Sequence, residues 1–161
     1  MKLTTQEEYG LRCLLRLGRE GTLESLTIAE LSKQEGIAGP TVAKMMRILR
    51  RAGLVRSTRG KEGGYTLARA PEQVNVGEAL AALGGRLFDS RFCERHSGSA
   101  RPCTHTPDCS IRPVWRVLQD VVDGVLGRMT LKDLLRTEVE VTASVSPRAV
   151  PLPLLTTRQA G

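Results

Sequence analysis

Between Thr27 and Gly53 the chain spells two short helices together with the turns that separate and end them, and this segment narrows the folds open to it. Thr27 followed by Glu30 is a capping-box pattern, which starts a helix over Thr27 to about Gln34 with Ile28 and Leu31 inward. Gly36 supplies the tight turn, and Pro40 takes the first position of a second helix running to about Ala52. In that helix Val42, Met45, Ile48 and Leu49 form the apolar side, and Gly53 is the stop. Two short helices joined by a glycine turn make a helix-turn-helix. Leu54 to Ser57 and Gly64 to Leu67 then read as strands around Thr58 to Gly63, a hairpin with a glycine-rich, basic tip, in other words a wing.

Charge gives this motif a partner. The formal net charge is +7 with a pI near 9.7, which favours a polyanion. From Gly39 to Lys61 the chain carries Lys44, Arg47, Arg50, Arg51, Arg56, Arg59 and Lys61, and no acid. A charge run alone would read as a solvated face. Coinciding with a helix-turn-helix, it points to double-stranded DNA. With Val42, Met45 and Leu49 buried, the second helix exposes Pro40, Thr41, Lys44, Arg47 and Arg51 to a major groove. Thr41 and Lys44 lie at the end that meets bases, whereas Arg47, Arg50 and Arg51 suit phosphates. Arg59 and Lys61 place cations at the wing, where a slim cation suits a minor groove. No nucleophile–base pair or phosphate-cradling loop occurs, so an enzyme or electron carrier is not expected, nor a small-molecule substrate. With no apolar signal core and no run of 18 apolar residues, no membrane partner is expected and the cytoplasm is the expected location.

The rest of the chain falls into recognisable stretches. Leu3 to about Arg19 is an apolar helix containing Tyr9, Leu11, Cys13, Leu14, Leu15 and Leu17. Aromatic residues are only 3% of the chain, so aliphatic side chains must build the core. Another helix, about Val76 to Leu83, follows Pro71 and ends at Gly84-Gly85. Arg86 to Ser110 has no periodicity. Thereafter Ile111, Trp115, Leu118, Val122, Val125 and Met129 recur at spacings of four and three, a stripe about 28 Å long. A domain this small would leave that stripe poorly covered, so a homodimer seam is expected. A short helix, Thr130 to about Arg136, packs back on it. The division is thus a winged helix-turn-helix domain over 1–85, a cysteine-rich loop over 86–110, and dimerisation and packing helices over 111–136. A disordered tail is expected over 137–161, because Pro147, Pro151 and Pro153 break any pattern. The fold class is mainly α, a winged helix-turn-helix with a long C-terminal dimerisation helix.

Three of the four cysteines lie in the loop. Cys93, Cys103 and Cys109 have nine and five residues between them. Thiolates are soft ligands for zinc, copper(I) or iron–sulfur clusters. Zinc usually draws on a close Cys-x2-Cys or Cys-x4-Cys knuckle, absent here. Widely spaced cysteines suit a cluster. Zinc and a thiol–disulfide switch stay open. Cys13, among apolar residues, reads as core. A fourth ligand could come from His96, His105, Asp108, or Glu8 of a second copy.

In its order of parts the chain resembles the IscR/NsrR-type family of iron–sulfur winged-helix regulators over about Met1 to Glu138. The residues that carry the resemblance are Met1-Lys2-Leu3-Thr4, Ile28-Ala29-Glu30-Leu31, Leu49-Arg50-Arg51-Ala52-Gly53-Leu54-Val55, Arg59-Gly60 with Gly63-Gly64-Tyr65, and the three-cysteine loop before a long helix. The resemblance implies a cytosolic homodimer that represses or activates promoters according to whether a [2Fe-2S] or [4Fe-4S] cluster is bound, repression being the expected mode. It also implies that Cys93, Cys103 and Cys109 hold the cluster. Known members respond to iron–sulfur status, nitric oxide or redox state. Some members use a histidine three residues after the last cysteine, a position that is Arg112 here. Others use an acid of the first helix donated by the second subunit, and Glu8 stands at that position, ahead of His105. Position 43, a DNA-contacting acid in IscR-type members, is Ala43.

Overall fold

The computed structural model describes residues 3–21, 24–58, 63–89, 91–99 and 102–145. Eight helices and one hairpin are found among them: α1 Thr5–Glu20, α2 Ile28–Glu35, α3 Gly39–Arg51, β1 Val55–Ser57, β2 Tyr65–Leu67, α4 Val76–Gly84, α5 Phe92–Arg95, α6 Arg112–Leu126, α7 Leu131–Leu134 and α8 Glu138–Val145, with a 3₁₀ turn at Pro71–Gln73.

The helix-turn-helix is set by local chemistry. Thr27 Oγ1 accepts from Glu30 N at 3.1 Å while Glu30 Oε2 accepts from Thr27 N at 2.8 Å, which satisfies donors that a helix start leaves open. Gly36 ends α2 in the left-handed region at φ 65°, where a Cβ would be strained. Pro40 follows the first residue of α3, where no N–H is missed. On α3 the fully buried residues are Val42, Met45, Met46 and Leu49; Ile48 is only half-buried. Met46 joins the core because α1 and α4 both pack on α3. The core joins these to Cys13, Leu14, Leu17, Leu31, Leu54, Leu67 and Leu131, each at most 1% exposed. Burying a side chain of this size contributes about 1.5–3 kcal/mol.

The hairpin pairs antiparallel, Val55 with Leu67 and Ser57 with Tyr65. It is tied to the entry of α2 by a third short segment: Leu26 N donates to Tyr65 O at 2.9 Å and Tyr65 N to Leu26 O at 2.8 Å.

Beyond the hairpin the chain departs from expectation in two places. α6 ends at Leu126 rather than continuing to Met129. The residues after it leave the helix to bond the start of α4, where Val76 N donates to Met129 O at 2.9 Å and Leu131 N to Val74 O at 2.8 Å. The expectation of a disordered tail from 137 is overturned as far as Val145. Thr137 and Glu140 form another capping box, with Thr137 N donating to Glu140 Oε2 at 2.9 Å, and no proline intervenes before Pro147. The remainder of the expected tail lies outside the described residues.

Candidate functional site

The exposed side of α3 is cationic and unpaired. Lys44, Arg47, Arg50 and Arg51 are exposed, and Thr41 is half-buried near the start of the helix. Thr41, Lys44, Arg47 and Arg51 follow one another at spacings of three and four, so they share a face. Ion pairs elsewhere in the fold engage Arg12, Arg16, Arg69, Arg86, Arg95, Lys132 and Arg136. Among the described residues no acid pairs with Lys44, Arg47, Arg50, Arg51 or Arg56. A face of free guanidinium groups on a helix held from behind by Val42, Met45 and Leu49 can enter a groove without breaking any internal bond. Arg59 and Lys61 lie outside the described residues.

Rigidity behind that face comes from α1. Glu35, at the end of α2, accepts from Arg16 Nε at 2.8 Å and from Arg12 Nε at 3.2 Å. The Arg12 guanidinium also reaches the Glu35 carbonyl and lies over the Tyr9 ring at 5.7 Å. Between these arginines Cys13 is fully buried. Burial, then the Glu35 charge, push its thiol up from 9.0 to about 11, so it stays a neutral core residue.

The three loop cysteines are free and half-buried. Cys93 sits in α5. The Cys103 carbonyl accepts from Thr106 N at 2.9 Å and Thr106 Oγ1 at 2.7 Å, and the Cys109 carbonyl accepts from Arg112 N at the start of α6. Among the described residues, no three of His, Cys, Asp and Glu are gathered around a common point that could hold a metal ion. The donor set fits an iron–sulfur cluster in kind: three soft, unpaired thiols on one loop. Their gathering is not part of this single-chain conformation. His96 is engaged otherwise, its ring stacked on Phe92 at 4.2 Å with Nδ1 on the Phe92 carbonyl at 2.8 Å. His105 and Asp108 are exposed. Arg112, in place of a histidine, donates to the Thr106 carbonyl at 3.1 Å. Glu8 is exposed on the first turn of α1, while its neighbour Glu7 is the acid turned toward the end of α4, against Gly84.

α6 leaves an apolar face open. Ile111 is 54% exposed, Trp115 40% and Leu118 47%, whereas Val122 and Val125 are half-buried. Sequence reasoning missed one residue here. Gln119 on α6 is 5% exposed and bonds Phe88 N and Asp123, and its one sequence signal was a polar residue interrupting the stripe.

A capped helix pair, a free cationic face on its second helix and a hairpin clasped to the first define a winged helix-turn-helix DNA-binding protein. The family model described as Rrf2, iron-dependent transcriptional regulator, matches residues 3–137. The chain belongs to this Rrf2 family of transcriptional regulators. It is 32% identical to Protein rrf2 of Nitratidesulfovibrio vulgaris over 136 residues, 84% of this chain and 88% of that one. Its fold is similar to T. potens IscR (TM-score 0.64, 27% identity, 84% of this chain and 86% of that one). It is equally similar to CymR, the global cysteine regulator of B. subtilis (TM-score 0.64, 25% identity, 84% of this chain and 96% of that one). Further relatives are named HTH-type transcriptional regulators rather than enzymes, and no helix among the described residues is long and apolar enough to cross a membrane.

Proposed function

We propose that this regulator is a cytoplasmic homodimeric repressor whose hold on promoter DNA depends on an iron–sulfur cluster, [4Fe-4S] or [2Fe-2S], held by Cys93, Cys103 and Cys109. The observation that carries the reading is the loop itself: three free thiols on a segment anchored to α6, in a family described as iron-dependent. Glu8 of a second copy ranks first as the fourth ligand, ahead of His105, since Arg112 stands three residues after Cys109 and Glu8 is exposed on α1. Bound there, a cluster would supply a site sensitive to redox state, nitric oxide or iron supply. The open α6 face around Trp115 and Leu118 supports a second copy packing there. Thr41 and Lys44 meet bases; Arg47, Arg51, Arg59 and Lys61 meet phosphates or the minor groove.

Anaerobically purified protein tests this. Brown colour with iron and acid-labile sulfide, lost on Cys103→Ala, supports the cluster. A second reading, zinc or a thiol–disulfide switch at the same cysteines, is supported by their being free thiols and by the likeness to CymR. Colourless protein with stoichiometric zinc, or with a reversible disulfide, replaces the first reading with the second.

A further inference from the structure

Gln119 stands out on α6. Its neighbours Trp115, Val117 and Leu118 are 40%, 41% and 47% exposed, yet Gln119 is 5% exposed and is the one buried residue of that helix. Burying a primary amide is costly unless both of its ends are bonded. Here both are. Oε1 accepts from the backbone N–H of Phe88 at 3.0 Å, and Nε2 donates to Asp123 Oδ1 at 2.8 Å. The other Asp123 oxygen takes the guanidinium of Arg86. The start of the cysteine loop is therefore tied to α6 twice, through the side chain of residue 86 and the backbone of residue 88.

The tie continues into the loop. The Phe88 ring meets Phe92 at 5.1 Å, and Phe92 meets Trp115 of α6 at 6.4 Å. Cys93 is the next residue, and it lines the same cleft of about 660 Å³ as Gln119, Arg112 and Arg116. On the other side, only Gly85 separates Arg86 from the end of α4, and α4 packs on α1 and α3.

We propose that Gln119 is the positioning residue through which the cysteine loop is coupled to the DNA-binding domain. Its amide fixes the first segment of the loop, and with it Cys93, where α4 meets α6. This inference rests on reading the loop as the sensor. A change at Cys93 that draws the loop away has to stretch the Phe88–Gln119 bond, and its pull then falls on Arg86 and Gly85, which lead directly into the end of the helix that backs α1 and α3. The amide works in one polarity only. A carboxylate at 119 would still accept from Phe88 N but would face Asp123 with like charge and no donor.

The test uses metal-free full-length protein and iodoacetamide, following alkylation of Cys93 relative to Cys109 by mass spectrometry. Affinity for a random-sequence duplex is measured before and after alkylation. Gln119→Met is expected to raise the relative alkylation rate of Cys93 roughly two- to tenfold, the range set by losing one part-buried hydrogen bond. It is also expected to bring the ratio of the two DNA affinities toward one. Gln119→Glu, whose charge is driven away from Asp123 and so out of line with Phe88 N, is expected to move both readouts in the same direction by less. The double exchange Gln119→Glu with Asp123→Asn restores a donor facing an acceptor while the asparagine oxygen still accepts from Arg86, and it is expected to recover most of the protection of Cys93, which a merely space-filling role would not predict. Wild-type protection of Cys93 in both single variants, or no recovery in the double exchange, overturns the proposal. Should Gln119→Met fail to fold, Gln119→Glu and the double exchange decide it. If wild-type DNA affinity is unchanged by alkylation, the sensor reading fails, while the alkylation rates still decide whether Gln119 holds the loop.

Discussion

Gly64→Ala tests how tightly the wing is clasped to the helix-turn-helix. A Cβ at Gly64 would lie 2.7 Å from both the carbonyl carbon and oxygen of Leu26 and 3.1 Å from Thr27 N. These are backbone atoms at the entry of α2, so no side chain can swing aside. Ordinary contact begins near 3.4 Å, which asks for an opening of about 0.7 Å from the present 2.7 Å. The Leu26–Tyr65 pair of hydrogen bonds, at 2.8 and 2.9 Å, spans the same gap and would be stretched beyond useful length. Overpacking costs about 1–3 kcal/mol, and each weakened bond adds up to about 0.5–1.5 kcal/mol. A total near 2–6 kcal/mol lies within a typical stability of about 5–15 kcal/mol. Tm is expected to fall by roughly 4–20 °C in a circular-dichroism melt. Gly39→Ala is the control: nothing lies within 4 Å of its Cβ and its φ is not positive, so it should hold or raise Tm. A Gly64→Ala Tm within about one degree of wild type would refute the reasoning, because the clasp would then be slack.

Other variants address the remaining parts. Thr27→Ala removes the cap on Glu30 N and is expected to cost about 1 kcal/mol in urea unfolding, with Thr27→Ser close to wild type. Cys13, raised from 9.0 to about 11, contributes stability that is complete below pH 9 and is lost as pH rises toward 11, because the unfolded thiol ionises first. Denaturation across that window should show the loss in wild type and not in Cys13→Ala, and native protein should leave Cys13 unreactive to thiol reagents. Leu118→Glu, on an exposed part of α6, should give a folded monomer in sedimentation equilibrium, with a Tm that no longer rises with protein concentration; a persisting dimer at the same concentration counts against the seam. Arg47→Ala should lower the slope of log affinity against log salt on duplex DNA by about one, the mark of a lost phosphate contact.

The helix-turn-helix was legible because its signals are local. Thr27 with Glu30, Gly36 and Gly53 each act within a few residues of themselves, and the structure places every one where its chemistry requires. Met46 was not legible, since a single apolar stripe through Val42, Met45 and Leu49 leaves it aside; it is buried because α1 and α4 cover α3 from two sides. The helix α8 has its own local signal, as Thr137 and Glu140 repeat the capping pattern of Thr27 and Glu30. Gln119 could not be found from its neighbours, because the groups that bury it, Arg86 and Phe88, are some thirty residues earlier in the chain. The three cysteines were legible as a donor set and not as a site. Their spacing names the chemistry, but bringing them together depends on the path of the loop and on a second copy.

That path begins at a junction which gives the loop its leverage. The end of α4 receives three attachments: Gln6 of α1 donates to the Leu83 carbonyl, Glu7 of α1 lies against Gly84, and Arg86 binds Asp123 of α6. The far end of α6 returns to the start of α4, where Asn75 Nδ2 donates to the Gly127 carbonyl at 2.9 Å and Gly77 leaves room for Leu126. α4 is thus gripped at both ends by the same long helix that carries the exposed apolar face. A shift of α6 cannot leave α4 behind, and a shift of α4 is felt by α1 and α3, which it supports. Since Glu8 is one residue beyond the Glu7 contact, the acid proposed to reach a second copy's loop lies on the same turn of α1 that rests on this junction. The start of the cysteine loop, α1 and α6 therefore meet at the end of α4, and a perturbation there is expected to change DNA affinity without any change in the residues that face the DNA.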